Sequence, residues 1–438
     1  MSDFPVSSTG RGDDSRYGAL LVFSGFLLVL YFALSPVVPG VITGVAGFIA
    51  IFSAVVGWRG LRLLPPQSRL LFLAFVFYVV VALLSLFNNE NWQAAGWRFE
   101  KYHPFLFAIP IMGWLALQRE RLQHWLLAAM MASALAIVGI TLYQQFWLYA
   151  ERVGYGTGIN PNIFGHVGSL VALTLLGFAL FGRFAMLLRL GLLLLAMGAL
   201  YGVFSTGSRG AVLAFFAGML ALVFANLLRG GVTRRQLLII LAVCLSGLLF
   251  FAMVVHFSGF WQAHWQRLLE EPGRFLNGDT TYTSVSARAV LWISGWKTGL
   301  EHPFLGTGIG DTQLDFDRLM AAGALPQVPD TSEAILHNIF FDSFASTGLI
   351  GLSSMLLAIF VMPMRYFLQS LGASRAQGTQ VAAAMAGMAL LTDNFVFGLT
   401  NSWLYLRGLP FVLILLLALL VLAGSRFGDS SSQELVRE

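Results

Sequence analysis

Charged residues are scarce in this sequence. Only 11% of the 438 residues are Asp, Glu, Lys or Arg, and 57% are hydrophobic. Soluble domains carry about 25% charged residues, and a water-soluble fold of this length has too little interior to bury so much apolar surface. The composition therefore excludes a soluble globular protein and predicts one whose solvent is the lipid bilayer.

Cysteine is almost absent as well. Cys244, the single thiol, lies in an apolar run at 237–255. One thiol forms no internal disulfide, so cysteine usage leaves the redox compartment undecided. The net charge of +5 and the pI near 9.5 would favour nucleic-acid binding in a soluble protein. In a membrane protein basic cytoplasmic loops explain them, and we expect no nucleic-acid partner.

Long apolar runs dominate the sequence instead. A bilayer core of about 30 Å is crossed by about 20 apolar residues in a helix, which predicts an all-α polytopic membrane protein with about twelve transmembrane helices. The predicted spans are 18–38, 40–57, 70–87, 104–117, 125–147, 163–182, 187–204, 211–228, 237–255, 339–361, 381–399 and 406–423. The fourth span is short. The first lacks a small-residue cleavage site, so we expect a retained helix there and not a signal peptide.

Basic residues set the expected orientation. The short connections on one side of the predicted bundle are all basic: Trp58–Arg69, Arg119–Arg121, Arg229–Arg235 and Arg365–Arg375. The positive-inside rule makes this side cytoplasmic and places both termini there. The predicted organisation is a cytoplasmic tail at 1–17, helices one to nine at 18–255, an extracytoplasmic loop domain at 256–337, helices ten to twelve at 338–423, and a second cytoplasmic tail at 424–438.

The extracytoplasmic loop domain is the unusual element. Its length of about 80 residues far exceeds that of an ordinary connection. Within it, the periodicity predicts helices at Phe260–Phe275, Ser286–Leu300 and Asp311–Ala322. We expect a helical cap over a cavity whose floor includes the turn that holds Arg209, and we expect the chemistry to lie there.

The end of this loop carries the strongest local feature. His337 and Asn338 lie where the loop meets the tenth predicted helix, and Asp342 follows one to two turns into that helix. An imidazole titrates near neutral pH, so His337 is a candidate to accept a proton from a hydroxyl and pass it on. The structural alternative, a histidine that caps the start of the helix, stays open.

Basic residues on the outer side form a second set of candidates. Arg209 lies in a tight turn between two helices, and Arg288 lies near the start of an amphipathic helix. Further cations on other outer loops are Arg98, Lys101 and Arg152. A guanidinium binds phosphate bidentately and stays charged, so the set suits a pyrophosphate at the membrane surface. The alternative for any one of them is contact with lipid headgroups.

Other motifs are weaker. Asp315-Phe-Asp317 is more typical of a solvated helix face than of a metal site, and the histidines lack metal-ligand spacing. Gly306-Thr-Gly308-Ile-Gly310 lacks the strand and helix of a dinucleotide site, and we interpret it as a flexible turn. We therefore expect no metal and no cofactor. Asp393, inside the eleventh predicted helix, needs a partner, which is either the site or, as we favour, a neighbouring helix.

Five short motifs occur in one order along the chain. They are Asn160-Pro-Asn162, Ser208-Arg209-Gly210, Ser286-x-Arg288-x-x-x-Trp292, Pro303-Phe-Leu-Gly306-Thr-Gly308-x-Gly310, and His337-Asn338 followed by Gly348-Leu-Ile-Gly351. Together with the layout of helices and one long late loop, they resemble the O-antigen ligase and polymerase superfamily of bacterial inner membranes. The resemblance is closest to the lipopolysaccharide O-antigen ligases.

The resemblance implies a GT-C-like architecture and an inverting, metal-independent glycosyltransferase with its active site facing the periplasm. Such ligases move a glycan from undecaprenyl pyrophosphate to a sugar hydroxyl of the lipid A–core acceptor. It implies His337 as the general base and Arg209 and Arg288 as the groups that hold the pyrophosphate. The remaining substrate-binding candidates are Lys101, Arg98, Arg152 and Asn338.

Two alternatives stay open. An O-antigen polymerase would use the same chemistry with a second lipid-linked glycan as acceptor. A secondary transporter of polysaccharide or lipid would involve no covalent step, but such proteins tend to show inverted repeats and interrupted helices meeting at the midplane. The sequence shows neither feature, and its ionisable residues lie mostly outside the predicted spans.

Overall fold

Helices account for the regular secondary structure of the described part of the chain. This computed structural model describes residues 10–36, 39–64, 66–154, 160–229, 259–328, 335–372, 378–406 and 408–425, with six single positions between 230 and 258. The all-α prediction is confirmed over these residues.

The α-helices are numbered in chain order. They are α1 Gly10–Leu34, α2 Pro39–Val56, α3 Pro66–Ser85, α4 Trp92–Phe99, α5 His103–Ala116, α6 Leu122–Phe146, α7 Pro161–Phe181, α8 Met186–Ser205, α9 Arg209–Leu228, α10 Gly259–Leu276, α11 Ser284–Glu301, α12 Thr312–Ala321, α13 Ile339–Met355, α14 Met362–Gly372, α15 Thr379–Gly398 and α16 Leu409–Gly424. Eight helical segments of the described residues are long and apolar enough to cross a membrane. The protein is therefore a polytopic membrane protein.

Most predicted spans coincide with a helix. The first and last correspond to shorter apolar segments, Val22–Leu34 and Leu409–Gly424, and the fourth is the 14-residue α5. The ninth predicted span, 237–255, lies outside the described residues apart from single positions. The number of twelve transmembrane helices and the cytoplasmic side thus stay predictions.

Two elements differ from expectation. The tenth predicted span was too short, because the helical segment runs from Ile339 to Gly372 and so includes Arg365, which we had placed in a connection. A π-helical turn, Leu356–Val361, ends two residues before Pro363. This wider turn accommodates a proline whose ring would clash with the carbonyl group four residues earlier in a regular α-helix. The outer loop before α5 also contains an unpredicted helix, α4, which starts at the N-cap Asn91.

The centre of the bundle is formed by α7 and α15, which are buried along most of their length. They pack against each other, and α15 also packs against α9 and α16. Gly177 of α7 lies against Ala386 of α15. Small residues of this kind let membrane helices approach closely, so the two central helices pack into a compact core.

A polar cluster joins these two helices. The His166 Nδ1 and the Asp393 Oδ2 are 3.2 Å apart, and the Ser169 hydroxyl donates to the other carboxylate oxygen of Asp393. The Nε2 of His166 lies 3.1 Å from the side-chain oxygen of Asn394. The contacts of Asp393 therefore run to the neighbouring helix, which is the alternative that we favoured from the sequence.

The helix α13 is broken at Gly348, whose φ of 65° and ψ of −165° are not helical. The turn Pro303–Gly310 lies along this break and exchanges backbone hydrogen bonds with it. The bonds run from Leu349 N to Pro303 O (2.8 Å), from Ile350 N to Phe304 O (3.2 Å), from Thr307 N to Ala345 O (3.1 Å) and from Gly308 N to Ser346 O (3.0 Å). We call this arrangement the clasp. The glycine-rich motif is thus tightly packed and is not the flexible turn that we expected.

A second tie holds the same turn to the loop between α3 and α4. The Asp311 carboxylate accepts hydrogen bonds from the backbone N–H groups of Glu90 and Asn91, each at 2.7 Å. In addition, the Asn88 side chain donates to the Gly306 carbonyl at 2.9 Å. The clasp therefore joins two outer loops to one membrane helix.

Replacing Gly306 with alanine should destabilise the protein strongly. The added Cβ would collide with backbone atoms of Ala345 and Ser346, and alanine would be strained at a φ of +67°. Gly323→Ala is the matched control, because its φ is +66° but nothing lies within 4 Å of its added Cβ. We expect the free energy of unfolding to fall by about 1–2 kcal/mol in the control and by about 3–5 kcal/mol in Gly306→Ala. The thermal unfolding midpoint should therefore fall further in Gly306→Ala than in the control. Equal falls would contradict the crowding argument.

Candidate functional site

The described part of the long loop, 259–328 and 335–337, folds onto α13 as a helical cap. Its three described helices, α10, α11 and α12, lie within two residues of the predicted positions. In α11, Gly295 lies against Leu336, and Gly299 lies against Phe344 of α13. A small apolar core under the cap contains Val290, Leu291, Phe316, Leu319, Leu325, Val328, Leu336 and Ala345. Because Leu336 is buried in this core, the position of the next residue, His337, is fixed.

Local capping holds the start of α11. Thr283 is the N-cap, and its hydroxyl accepts a hydrogen bond from the Ser286 N–H at 3.0 Å. In return, the Ser286 hydroxyl accepts one from the Thr283 N–H at 2.8 Å. This capping box explains why serine stands two residues before Arg288 in the motif, and it places Arg288 in the second turn of the helix.

Helix α9 starts in the same region. Its N-cap, Ser208, accepts a hydrogen bond from the Ala211 N–H and donates one to the Asn162 side chain of α7 at 2.8 Å. Arg209 is the first residue of α9, and its Nη2 donates to the Ser284 hydroxyl of α11 at 2.7 Å. The N-termini of α9 and α11, which carry the positive ends of the helix dipoles, therefore meet. This arrangement favours an anion between them.

A cavity of about 560 Å³ lies between these helix starts and α10. Five arginines line it, together with two glutamates: Arg152, Arg209, Arg267, Arg274, Arg288, Glu270 and Glu271. Neutral polar residues of α7, of the segment around the start of α11 and of the turn after α15 also line it: Asn162, Tyr282, Thr283, Ser284, Thr400 and Asn401. The predicted cap over a cavity with the Arg209 turn in its wall is confirmed.

Arg152, Arg209 and Arg288 concentrate positive charge in one part of this cavity. Burial, followed by the nearby charges of Arg209 and Arg152, lowers the pKa of the Arg288 guanidinium. A guanidinium stays charged even so. The Arg152 Nε also donates to the Thr206 carbonyl at 2.5 Å, which fixes it beside the Arg209 turn. Like charges held this closely favour a multivalent anion.

His337 lies beside this cluster, although it is not part of the cavity wall. Burial, and then the positive charge of Arg288, lower the pKa of its imidazole to about 4. The ring is therefore neutral at pH 7 and retains an acceptor nitrogen. Its Nδ1 is buried and has no hydrogen-bond partner among the described residues. The backbone φ of His337 is +50°, a strained value for a residue other than glycine.

Asn338, and not His337, caps the start of α13. Its side-chain oxygen accepts hydrogen bonds from the N–H groups of Phe340 and Phe341 at 2.9 and 3.1 Å. Its side-chain nitrogen donates to the Leu399 carbonyl at 3.0 Å. The amide of Asn338 is thus engaged within the protein, which leaves little capacity for the substrate contact that we predicted from the sequence.

Arg98 and Lys101 lie outside the cavity wall. Arg98 pairs with Asp342 of α13, with 3.1 Å between Nη1 and the carboxylate, and the same nitrogen donates to the Thr312 hydroxyl at 2.7 Å. Burial lowers the pKa of the Arg98 guanidinium, but the negative charge of Asp342 raises it, and the pKa of Arg98 is raised overall. The Lys101 Nζ lies 3.7 Å from the Glu100 carboxylate. Of the further basic candidates, the structure brings only Arg152 into the cavity.

The acidic motif of α12 has internal partners. The Asp315 carboxylate accepts a hydrogen bond from the Thr307 hydroxyl at 2.6 Å, and burial raises the pKa of Asp315. The Asp317 carboxylate accepts one from the Gln313 side chain at 2.9 Å. Within the described ranges, no group of three or more His, Cys, Asp or Glu side chains is placed to hold a metal ion.

The cavity-lining residues of α10 were not predicted from the sequence. Arg267, Glu270, Glu271 and Arg274 form one polar face of this amphipathic helix, at the i, i+3, i+4 and i+7 positions that share a side. That pattern is visible in the sequence. It is normally a solvated face, so only the packing of α10 over the Arg209 turn reveals that these side chains line a cavity.

The central part of the chain matches a known family. The family model described as O-antigen ligase matches residues 192–356, a range that contains Arg209, Arg288, His337 and the clasp. The match confirms the resemblance to the O-antigen ligase family and supports a function of the ligase or polymerase type in a multi-pass membrane protein. No curated protein matches the chain.

The pairing of Arg98 with Asp342 gives a stability prediction. Arg98→Ala leaves the fully buried carboxylate of Asp342 without its cation, and breaking a buried pair in this way costs about 3–5 kcal/mol. The double variant with Asp342→Asn should recover part of this loss. Arg318→Ala is the control, because its pair with Glu90 is exposed and contributes less than about 1 kcal/mol. Unfolding midpoints that fall equally in both single variants would refute a structural role for the Arg98 pair.

Proposed function

We propose that this protein transfers O-antigen glycan from undecaprenyl pyrophosphate to a sugar hydroxyl of lipid A–core, at the periplasmic face of the bacterial inner membrane. The transfer inverts the anomeric carbon and uses no metal ion and no cofactor. The observation that carries the proposal is that Arg209 and Arg288 meet in one cavity beside His337, inside the range matched by the O-antigen ligase family model.

The cavity suits the pyrophosphate of the donor. Arg209 and Arg288 present forked guanidinium groups, which match phosphate oxygens bidentately, and Arg152 adds a third positive charge. The starts of α9 and α11 add backbone dipoles of the same sign. The volume of about 560 Å³ falls within the range of small-molecule sites. The polyprenyl chain would remain in the bilayer beside the cap.

The neutral imidazole of His337 is the proposed general base. It takes the proton of the acceptor hydroxyl while the hydroxyl oxygen forms a bond to the anomeric carbon of the donor sugar. The bond between that carbon and the phosphate oxygen breaks, and its electron pair stays on the pyrophosphate. Arg209 and Arg288 stabilise the charge that develops there. Attack from the face opposite the leaving group inverts the anomeric carbon.

The same chemistry with a lipid-linked glycan as acceptor would make the protein a polymerase. A deletion strain separates the two activities. Loss of all long glycan from lipid A–core, with polymer still present on undecaprenyl pyrophosphate, supports the ligase. A strain that caps lipid A–core with a single repeat unit contradicts it.

The proposed roles predict the effects of two substitutions on reconstituted transfer. His337→Ala removes the general base and should lower kcat by about 10²–10⁴-fold. Arg288→Lys keeps the charge but loses the bidentate geometry, so kcat should fall by about 10²-fold or more. The matched controls are His302→Ala and Arg318→Lys, which alter exposed side chains of the cap and should leave transfer unchanged.

These experiments have clear negative outcomes. Folded His337→Ala protein that still transfers glycan at the normal rate would remove the base from the mechanism. Transfer that stops when a chelator is added would contradict metal independence.

The depressed pKa of His337 predicts an unusual pH profile. Protonation inactivates the base, and burial together with Arg288 holds its pKa at about 4, so kcat/KM should stay level from pH 7 until it falls as the pH approaches 4. In Arg288→Gln, a positive neighbour is lost, the pKa of His337 rises and the acid limb should move to higher pH. An acid limb near pH 6.5 in both proteins would show that another group controls the rate.

A further inference from the structure

The mechanism leaves one buried acid of the cavity unexplained. Glu271 lies on α10, lines the cavity and is only 9% exposed. Its Oε2 is buried and has no hydrogen-bond partner among the described residues. The adjacent Glu270 differs, because its side chain is 57% exposed and accepts a hydrogen bond from Arg274 at 3.0 Å.

A buried carboxylate oxygen without a donor is costly, because it loses its hydration and gains nothing in return. A ligand that supplies hydrogen-bond donors removes this cost. The pyrophosphate does not meet the requirement, because phosphate oxygens are acceptors and carry the same sign of charge as the glutamate. The group that faces Glu271 must therefore be a neutral or cationic donor.

The hydroxyl groups of a sugar are such donors. A carboxylate has two oxygens and accepts hydrogen bonds from two neighbouring hydroxyls at once. The sugar of the donor is joined directly to the phosphate that we place at Arg209 and Arg288, so it occupies the same cavity. Neutral polar side chains on other walls, Asn162 and Asn401, provide further partners of the kind that sugars use.

We propose that Glu271 binds the hydroxyl groups of the sugar that is attached to the pyrophosphate, and so selects the donor by its first sugar. The cavity then has two sides. Arg209 and Arg288 hold the pyrophosphate, and the Glu271 carboxylate holds the sugar. This assignment rests on the proposed function, since it takes the pyrophosphate-linked glycan as the ligand.

The test compares two lipids bound to purified full-length protein in detergent: undecaprenyl pyrophosphate, and the same lipid carrying one sugar. In Glu271→Gln, affinity for the sugar-bearing lipid should fall by about 10- to 100-fold, the range for a hydrogen bond to a charged group. Affinity for the sugar-free lipid should stay within about twofold, since the arginines are unchanged. Glu301→Gln is the control, because Glu301 is an exposed glutamate of α11 that does not line the cavity, and it should leave both affinities unchanged.

Two results would overturn the assignment. Glu271→Gln that binds both lipids as the unaltered protein does would show that the carboxylate makes no contact with sugar. Glu271→Gln that loses affinity for both lipids equally would show a structural role. If that variant does not fold, Glu271→Asp serves instead, and it should still bind the sugar-bearing lipid more weakly than the unaltered protein while binding the sugar-free lipid normally.

The same measurements keep this inference separate from the proposed function. Unaltered protein that fails to bind sugar-free undecaprenyl pyrophosphate, or an Arg288→Lys variant that binds it normally, would contradict the pyrophosphate site itself. A normal pyrophosphate site together with an unchanged Glu271→Gln variant contradicts the sugar contact alone.

Discussion

The break of α13 at Gly348 is the constraint on which the outer half of the protein depends. A broken helix leaves backbone N–H and C=O groups without partners, and a membrane offers no water to satisfy them. The turn Pro303–Gly310 supplies the missing partners through four backbone hydrogen bonds. It approaches closely enough only because Gly306 and Gly348 have no side chain and adopt positive φ values. The clasp therefore satisfies the backbone groups of the broken helix and anchors the cap.

The positions of the Arg288 and His337 side chains follow from this anchor. Helix α11 is held at its start by the capping box of Thr283 and Ser286 and is followed directly by the clasp. Its glycines pack against Leu336 and Phe344, so α11 is registered against the start of α13. Arg288 belongs to the first of these helices and His337 directly precedes the second. The proximity of Arg288 and His337 is therefore a consequence of how the two helices pack.

The sequence predicts the helices well but not their pairings. Apolar runs of about 20 residues identify membrane helices because lipid permits few other structures, and the helices of the cap follow from periodicity. Helix α4 was missed because eight residues are too few for a periodic signal, and the loop that precedes it is held by Asp311, about 220 positions away in the chain.

The candidate site residues were also found from the sequence without their contacts. Arg209 and Arg288 were found because outer arginines are unusual on the side that lacks the positive bias. By the same criterion Arg98 was grouped with them, but it pairs with Asp342, 244 positions away. Glu271 carries no signal of its own, since a glutamate on an amphipathic helix is ordinary until α10 is packed over the Arg209 turn.

Electrostatics links the two halves of the proposed reaction. Arg152, Arg209 and Arg288 stand on three different elements. Burial and then the charges of Arg209 and Arg152 lower the pKa of Arg288, and burial and then the charge of Arg288 lower the pKa of His337. An anion bound among the arginines would relieve this repulsion. It would also offset the positive charge that lowers the pKa of His337. In the proposed mechanism, bound pyrophosphate therefore makes His337 a stronger base, which ties proton removal from the acceptor to the presence of the donor.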